Sequence, residues 1–242
     1  MTIDARGVSF AELNELIHES GDGNVDITGC LGQRFIACGM SKGRITIDGV
    51  PGNAMGAYLN GAEIFVHGNA QDAVGDTMNN GLIAVGGNIG DAAGYAMRGG
   101  EIYIKKNAGY RAGIHMKAYK EKKPVMVIGG RAGSFLGEYQ AGGYIIVLGI
   151  DIGDKPIVGN FPCTGMHGGK MFLRVKYGES GIDFPGQVTA RKATDEDKAE
   201  MRRFVKKYCE LFVEDADKIM ESDFTVVSPD SKNPYKQMYV AN

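Results

Sequence analysis

The sequence has no surplus of either charge. Its 27 basic and 29 acidic residues leave a formal net charge of −2, which offers no basic footprint for nucleic acid or an anionic membrane surface. Long apolar runs are missing as well. Stretches such as Tyr144–Leu148 fall far short of the ~20 residues that span a bilayer. The opening Met1-Thr-Ile-Asp-Ala-Arg lacks a signal-peptide core. Cysteine is scarce and scattered: Cys30, Cys38, Cys163 and Cys209 form no Cys-x-x-Cys pair. A reduced, cytoplasmic setting is the expectation. The histidines His18, His67, His115 and His167 show no zinc-ligand spacing. There is no Ser/His/Asp order and no paired carboxylates. These absences predict a chain without catalytic residue, metal ligand or bound cofactor.

What the sequence has is glycine, 37 in 242 residues, about twice the usual share of roughly 7%. Strict Gly-X-Y order is absent, which excludes collagen. Instead one phrase recurs. Its best copies are Ile45-Thr-Ile-Asp-Gly49-Val-Pro-Gly52-Asn-Ala-Met-Gly56, Val85-Gly-Gly87-Asn-Ile-Gly90-Asp-Ala-Ala-Gly94 and Ile128-Gly-Gly130-Arg-Ala-Gly133-Ser-Phe-Leu-Gly137. Each is an apolar-x-apolar step followed by Gly-x-x-Gly-x-x-x-Gly. One apolar column reads Val25, Ile45, Ile64, Ile83, Ile102, Met126, Ile145, Met171, and a second lies two residues on, from Ile27 to Leu173. Successive members are 20, 19, 19, 19, 24, 19 and 26 residues apart. The two longer steps are insertions, at Lys117–Lys123 and between Ile150 and Pro162. A third column, Met40, Leu59, Met78, Met97, Met116, Gln140, Met166, runs through the glycine-rich half.

A period near twenty residues marks a solenoid. Spacing by two places both strand columns on one face. Glycine every three or four residues between strands argues against helices and for tight corners. The expected fold is all-β: a right-handed parallel β-helix of about eight coils of ~19 residues, the hand being that of parallel crossovers. Residues 1–22 read as a helical cap, opened by Ser9-Phe-Ala-Glu12. Residues 23–177 form the coils, and 178–242 a helical C-terminal segment with an extended tail. In that segment, 178–193 reads as an irregular return. Thr194 caps a helix carrying Met201, Phe204, Val205, Tyr208, Leu211 and Phe212 at helical spacing. A short helical turn is expected near Asp215–Met220. The stretches Phe224–Pro229 and Asn233–Tyr239 have little reason to be ordered alone.

Gly165-Met-His-Gly168-Gly169-Lys170-Met171 faintly follows a phosphate-binding loop. Thr164 replaces its first glycine, however, and Met171 the Ser/Thr that would hold magnesium. Corner glycines account for it better. The methionine column reads as core filler rather than a soft-metal site. His115 shares a column with Tyr58, Thr77, Ala96 and Tyr139 that reads as plain surface. The position between the two inward columns is the informative one: Thr46, Phe65, Ala84, Tyr103, Val127, Ile146, Phe172. An outward stripe this apolar needs a cover. The Thr194–Phe212 helix can cover part; the remainder, with Phe65, Tyr103, Val127, Ile146 and Phe172 as candidate interface, predicts a partner protein. Self-association of the isolated chain stays open.

The coils, with forms such as Gly87-Asn-Ile-Gly90, resemble the GXGXG domain family. That family includes the C-terminal β-helix domain of the glutamate synthase large subunit, and one of the subunits of formylmethanofuran dehydrogenase. Ile3-Asp-Ala-Arg-Gly7…Leu13-Asn14, Gly90-Asp-Ala-Ala-Gly94-Tyr-Ala-Met-Arg-Gly-Gly100 and Asn107-Ala-Gly109-Tyr-Arg-Ala-Gly113-Ile-His-Met116 are similar to the glutamate synthase version. The likeness covers residues 3 to about 175; Gln71, Lys106 and Ile36 depart from it. It implies a stand-alone, non-catalytic structural subunit of glutamate synthase, which forms glutamate from glutamine and 2-oxoglutarate. Its partners would be a class II glutaminase and an FMN/iron–sulfur synthase subunit, which hold the cofactors. The alternative is the formylmethanofuran dehydrogenase subunit. A β-helix carbohydrate-active enzyme or acyltransferase is disfavoured, because no column of acids, bases or histidines lines a groove.

Overall fold

In the computed structural model, which describes residues 1–21, 23–179 and 181–230, the strands form one sheet. They are β1 (Thr2–Asp4), β2 (Asn24–Leu31), β3 (Arg44–Val50), β4 (Asn60–Val66), β5 (Asn80–Val85), β6 (Glu101–Ile104), β7 (Val125–Ile128), β8 (Ala141–Val147), β9 (Gly168–Leu173), β10 (Val188–Lys192) and β11 (Thr225–Pro229). The helices are α1 (Phe10–Glu19), α2 (Asp195–Phe212) and α3 (Ala216–Glu221). Strands β1 to β9 pair in parallel and in chain order, and the sheet closes its far end as β9-β11-β10.

The registers are those of the sequence columns. Val25 pairs with Ile45 and Ile27 with Ile47, Ile64 with Ile83, Ile102 with Met126, and Ile145 with Met171. All of these are buried. The Met40-to-Met166 column is buried with them, so strand and turn halves share one interior. Gln140 takes a methionine's place there and donates from Nε2 to the carbonyls of Gly142 and Gly143, which satisfies its amide nitrogen, while its buried Oε1 has no partner among the described residues.

The corners hold more order than glycine content alone conveys. Each coil turns with left-handed residues at every second position, as in Ala73, Gly75 and Thr77, with φ of 56°, 68° and 53°. Their amides bond alternately forward and back: Ala73 to Asp91 O, Gly75 to Met55 O, Thr77 to Tyr95 O. A Cβ on Gly75 would lie 2.6 Å from Ile102 Cδ1, so the middle position must be small while its neighbours point outward.

Two side-chain ladders pin adjacent corners. Asn69 Oδ1 accepts from Asn88 N (2.7 Å), Asn88 Oδ1 from Asn107 N (3.2 Å) and Asn107 Oδ1 from Arg131 N (2.9 Å). Beside them Asn53, Asp72 and Asp91 accept from the amides of Asp72, Asp91 and Tyr110. The recurring Gly-Asn-x-Gly follows from this. A Cβ on Gly87 would sit 2.3 Å from Asn69 Oδ1, and one on Gly90 2.1 Å from Asp72 Oδ1.

The ends differ from the sequence reading in three respects. β1 adds a ninth parallel strand, Ile3 pairing with Ile27, ahead of α1. That helix starts at Ser9, whose hydroxyl accepts from Glu12 N, and sends Leu13 and Ile17 into the interior. Second, the segment read as an irregular return contains β10. Third, Phe224–Pro229 is ordered because β11 lies antiparallel between β9 and β10, with Val226 opposite both Phe172 and Arg191. Pairing on both sides, invisible to local pattern, fixes it. The expected extended stretch Asn233–Tyr239 lies outside the described residues.

If the like-on-like ladders carry the stability, Ile83→Ala, at a fully buried mid-stack position, should cost about 2–5 kcal/mol. Urea unfolding measures it, and a loss below ~1 kcal/mol would contradict the ladder account.

Candidate functional site

The outward column is in register across the stack: Thr46, Phe65, Ala84, Tyr103, Val127, Ile146, Phe172. It is not a free surface. Tyr103, Val127, Ile146 and Phe172 are 0% exposed, packed with Met201, Phe204, Val205, Tyr208 and Cys209 of α2, with Ile219 and Met220 of α3, and with Phe224 and Val226. Four of the five candidate interface residues are therefore withdrawn from any partner by the chain's own C-terminal segment. The reason is geometric. An 18-residue helix is about 27 Å long, enough to cross five strands at ~4.8 Å. Only Phe65 stays partly exposed, where α2 ends.

Three devices seat α2. Tyr208 donates its hydroxyl to Lys105 O at 3.0 Å across Gly129, where a Cβ would lie 1.9 Å from that oxygen. Thr194 and Asp197 form a reciprocal capping box. Asp197, 2% exposed, also accepts from Arg191 and from Lys170 (3.1 Å), and Lys170 reaches Glu200 at 2.8 Å. Burial pushes the Asp197 pKa up, but hydrogen bonds from Arg191, the Thr194 amide and Lys170 outweigh it and hold the carboxyl well below its usual range.

Two further regions are open. A cavity of about 590 Å³ is lined by Lys117, Lys123, Tyr144, His167, Lys170 and Glu200. A groove of about 350 Å³ lies at the end of α2, between Phe65, Phe212 and Val213. On the turn side, His115 is stacked on Tyr139 (5.0 Å, 11°) and meets Tyr95 edge-on at 5.9 Å, so the plain surface column is an aromatic row in its last coils.

The thiols are poor nucleophiles. Burial pushes Cys30 and Cys209 up to about 11 and Cys163 up to about 12, which keeps them protonated at neutral pH. Among the described residues no group of three or more His, Cys, Asp or Glu is arranged to hold a metal ion, and no helix is long and apolar enough to cross a membrane. Gly165–Met171 runs from a turn into β9 rather than into a helix, the wrong context for a phosphate-binding loop.

The GXGXG motif family matches residues 23–230. An uncharacterized protein of Methanocaldococcus jannaschii is 45% identical over 252 aligned positions, which cover 99% of this chain and 96% of that protein. Among solved structures, a chain of the formyltransferase/hydrolase complex (FhcABCD) from Methylorubrum extorquens, determined with methylofuran, is similar. Its TM-score is 0.61 at 18% identity, over 93% of this chain and 89% of that one.

Two outcomes test the seating of α2. Gly129→Ala should expel the Tyr208 ring and cost about 1–3 kcal/mol, with new dye-binding apolar surface. Asp197→Asn should cost about 1–3 kcal/mol at pH 7, less than a fully buried pair because Arg191 and Lys170 are partly solvated. A carboxyl with a depressed folded pKa stabilises above its unfolded value of about 3.9 and loses that contribution as pH falls below it. The wild type should therefore weaken more steeply than Asp197→Asn on acidification below pH 4, as read by urea unfolding at each pH.

Proposed function

The chain belongs to the GXGXG motif family, and from that premise we propose that it is a non-catalytic scaffold within a larger enzyme complex of the cytoplasm, its coils wound as a right-handed parallel β-helix. The observation that carries this reading is the uninterrupted parallel order of strands from β2 to β9, braced on its outer face by α2. Such a rod holds whatever docks on it at fixed separation, which matters where an intermediate must pass between sites.

Two assemblies fit. The glutamate synthase reading rests on the sequence phrases around Gly90–Gly100 and Asn107–Met116; its partners would be a class II glutaminase and an FMN/iron–sulfur synthase subunit. The alternative, a formylmethanofuran dehydrogenase subunit, is supported by the M. extorquens formyltransferase/hydrolase complex, whose similar chain matches nearly end to end. The comparisons favour this second assembly over the first, through fold rather than through shared site residues.

Affinity isolation of the tagged chain from its native extract, with mass spectrometry and a visible spectrum, separates them. Flavin and iron–sulfur absorption with a glutaminase assigns glutamate synthase. Formyltransferase- and hydrolase-type proteins assign the other assembly. A colourless chain that brings nothing down overturns the scaffold reading.

A further inference from the structure

The groove at the C-terminal end of α2 is where the outward stripe escapes its cover. It is lined by Phe65, Leu211, Phe212 and Val213, with Arg44, His67 and Lys105 at its rim. At about 350 Å³ it lies at the small end of the roughly 300–1,000 Å³ range of ligand pockets, fit for one or two side chains.

Val213 is the anomaly. It ends α2 in the left-handed region, φ 60° and ψ 54°, a position that favours glycine or asparagine and where a β-branched residue is an outlier. Its side chain is also 93% exposed, so the fold gains no burial in return. The left-handed turn itself closes α2, the Val213 and Glu214 amides bonding Cys209 O, but that role does not call for a β-branched side chain, and a local rule broken in this way points to a use outside the fold.

The rim states the chemistry of the occupant. No carboxylate lines the groove. Arg44 lies over the Phe65 ring at 4.0 Å, which orients its guanidinium at the mouth. Among the described residues neither Arg44 nor Lys105 is in an ion pair, whereas His67 is held by Asp48. An apolar floor with Arg44 and Lys105 beside it, neither in an ion pair among the described residues, complements an apolar side chain flanked by carboxylates.

We propose that this groove docks a segment of a partner protein that presents an apolar side chain between acidic residues. The proposal rests on the scaffold reading above and names the place and chemistry of one of its contacts.

The test uses the full-length tagged chain as wild type, Val213→Gly and Lys105→Glu, each isolated from native extract and washed identically. Lys105→Glu leaves the backbone carbonyl that seats Tyr208 in place. Both variants should retain at least tenfold less of the protein that the wild type retains, while Val213→Gly melts no lower than wild type because glycine relieves the left-handed backbone. A synthetic Glu-Glu-Phe-Leu-Glu-Glu peptide should displace that protein from the wild type at a concentration at least tenfold lower than its lysine-flanked counterpart.

Equal retention by all three chains, or equal displacement by the two peptides, overturns the groove and leaves the scaffold reading standing. A wild type that retains nothing removes the scaffold reading and the groove with it. A wild-type dimer in light scattering that Val213→Gly converts to monomer makes a second copy the occupant, and overturns the acidic partner.

Discussion

Each coil must lie one hydrogen-bond spacing, about 4.8 Å, from the coil before it, and nearly every feature of this molecule follows from that requirement. At such a distance a backbone atom in one corner sits against the corner below. Where Asn69 Oδ1 reaches up to Asn88 N and Asp72 Oδ1 to Asp91 N, the residue before each of those amides has no room for a Cβ, while Gln71 and Lys106 hold the matching place in other coils. Gly87 and Gly90 are glycines for that reason. The same spacing places Ile on Ile and Met on Met, so the interior consists of ladders rather than a mosaic, and burial of one rung supports the next.

A stack of this kind leaves an outer sheet face that belongs to no ladder of the interior. Here the C-terminal segment returns over it. The seating combines a buried hydroxyl that passes over Gly129 with a charged knot at the other end, where Asp197 gathers Arg191, Lys170 and the start of its own helix. Breaking that knot by removing one partner strands the others. One helix thereby bridges strands that are far apart in sequence.

Where the brace ends, the molecule keeps apolar surface and backbone strain side by side, at Phe65 and Val213. The turn side shows a related pattern. The repeat offers its own control there: equivalent left-handed positions filled by Ala54, Ala73 and Ala92 in three coils carry Phe35 in the coil before them and Arg111, Phe135 and Phe161 in those after, with the same positive φ. The backbone is common to all of them, so coil geometry alone does not call for the larger residues.

The two inward columns, the third methionine-rich column, the positions of the insertions and the start of α2 at Thr194 were all legible in the sequence, because ladders repeat and a repeat can be counted. So was the apolar character of the outward stripe. Its destination was not. Whether Tyr103, Val127, Ile146 and Phe172 meet another protein or the chain itself depends on where residues 194–229 pack, and no local spacing encodes that. β10 and β11 escaped for the same reason, since each is held by antiparallel partners distant in sequence. The Asx ladders were half visible: Gly-Asn-x-Gly was readable as corners, yet the bond to each side chain comes from 19 residues on, or 24 across an insertion, from an amide whose nearness only the stacked structure creates. Period, inward faces and corners are set within one coil and its immediate copy, so the order of residues is enough to read them. What covers the outer face, and where that cover stops, is settled by packing, because those contacts join segments about a hundred residues apart, as between Lys105 and Tyr208.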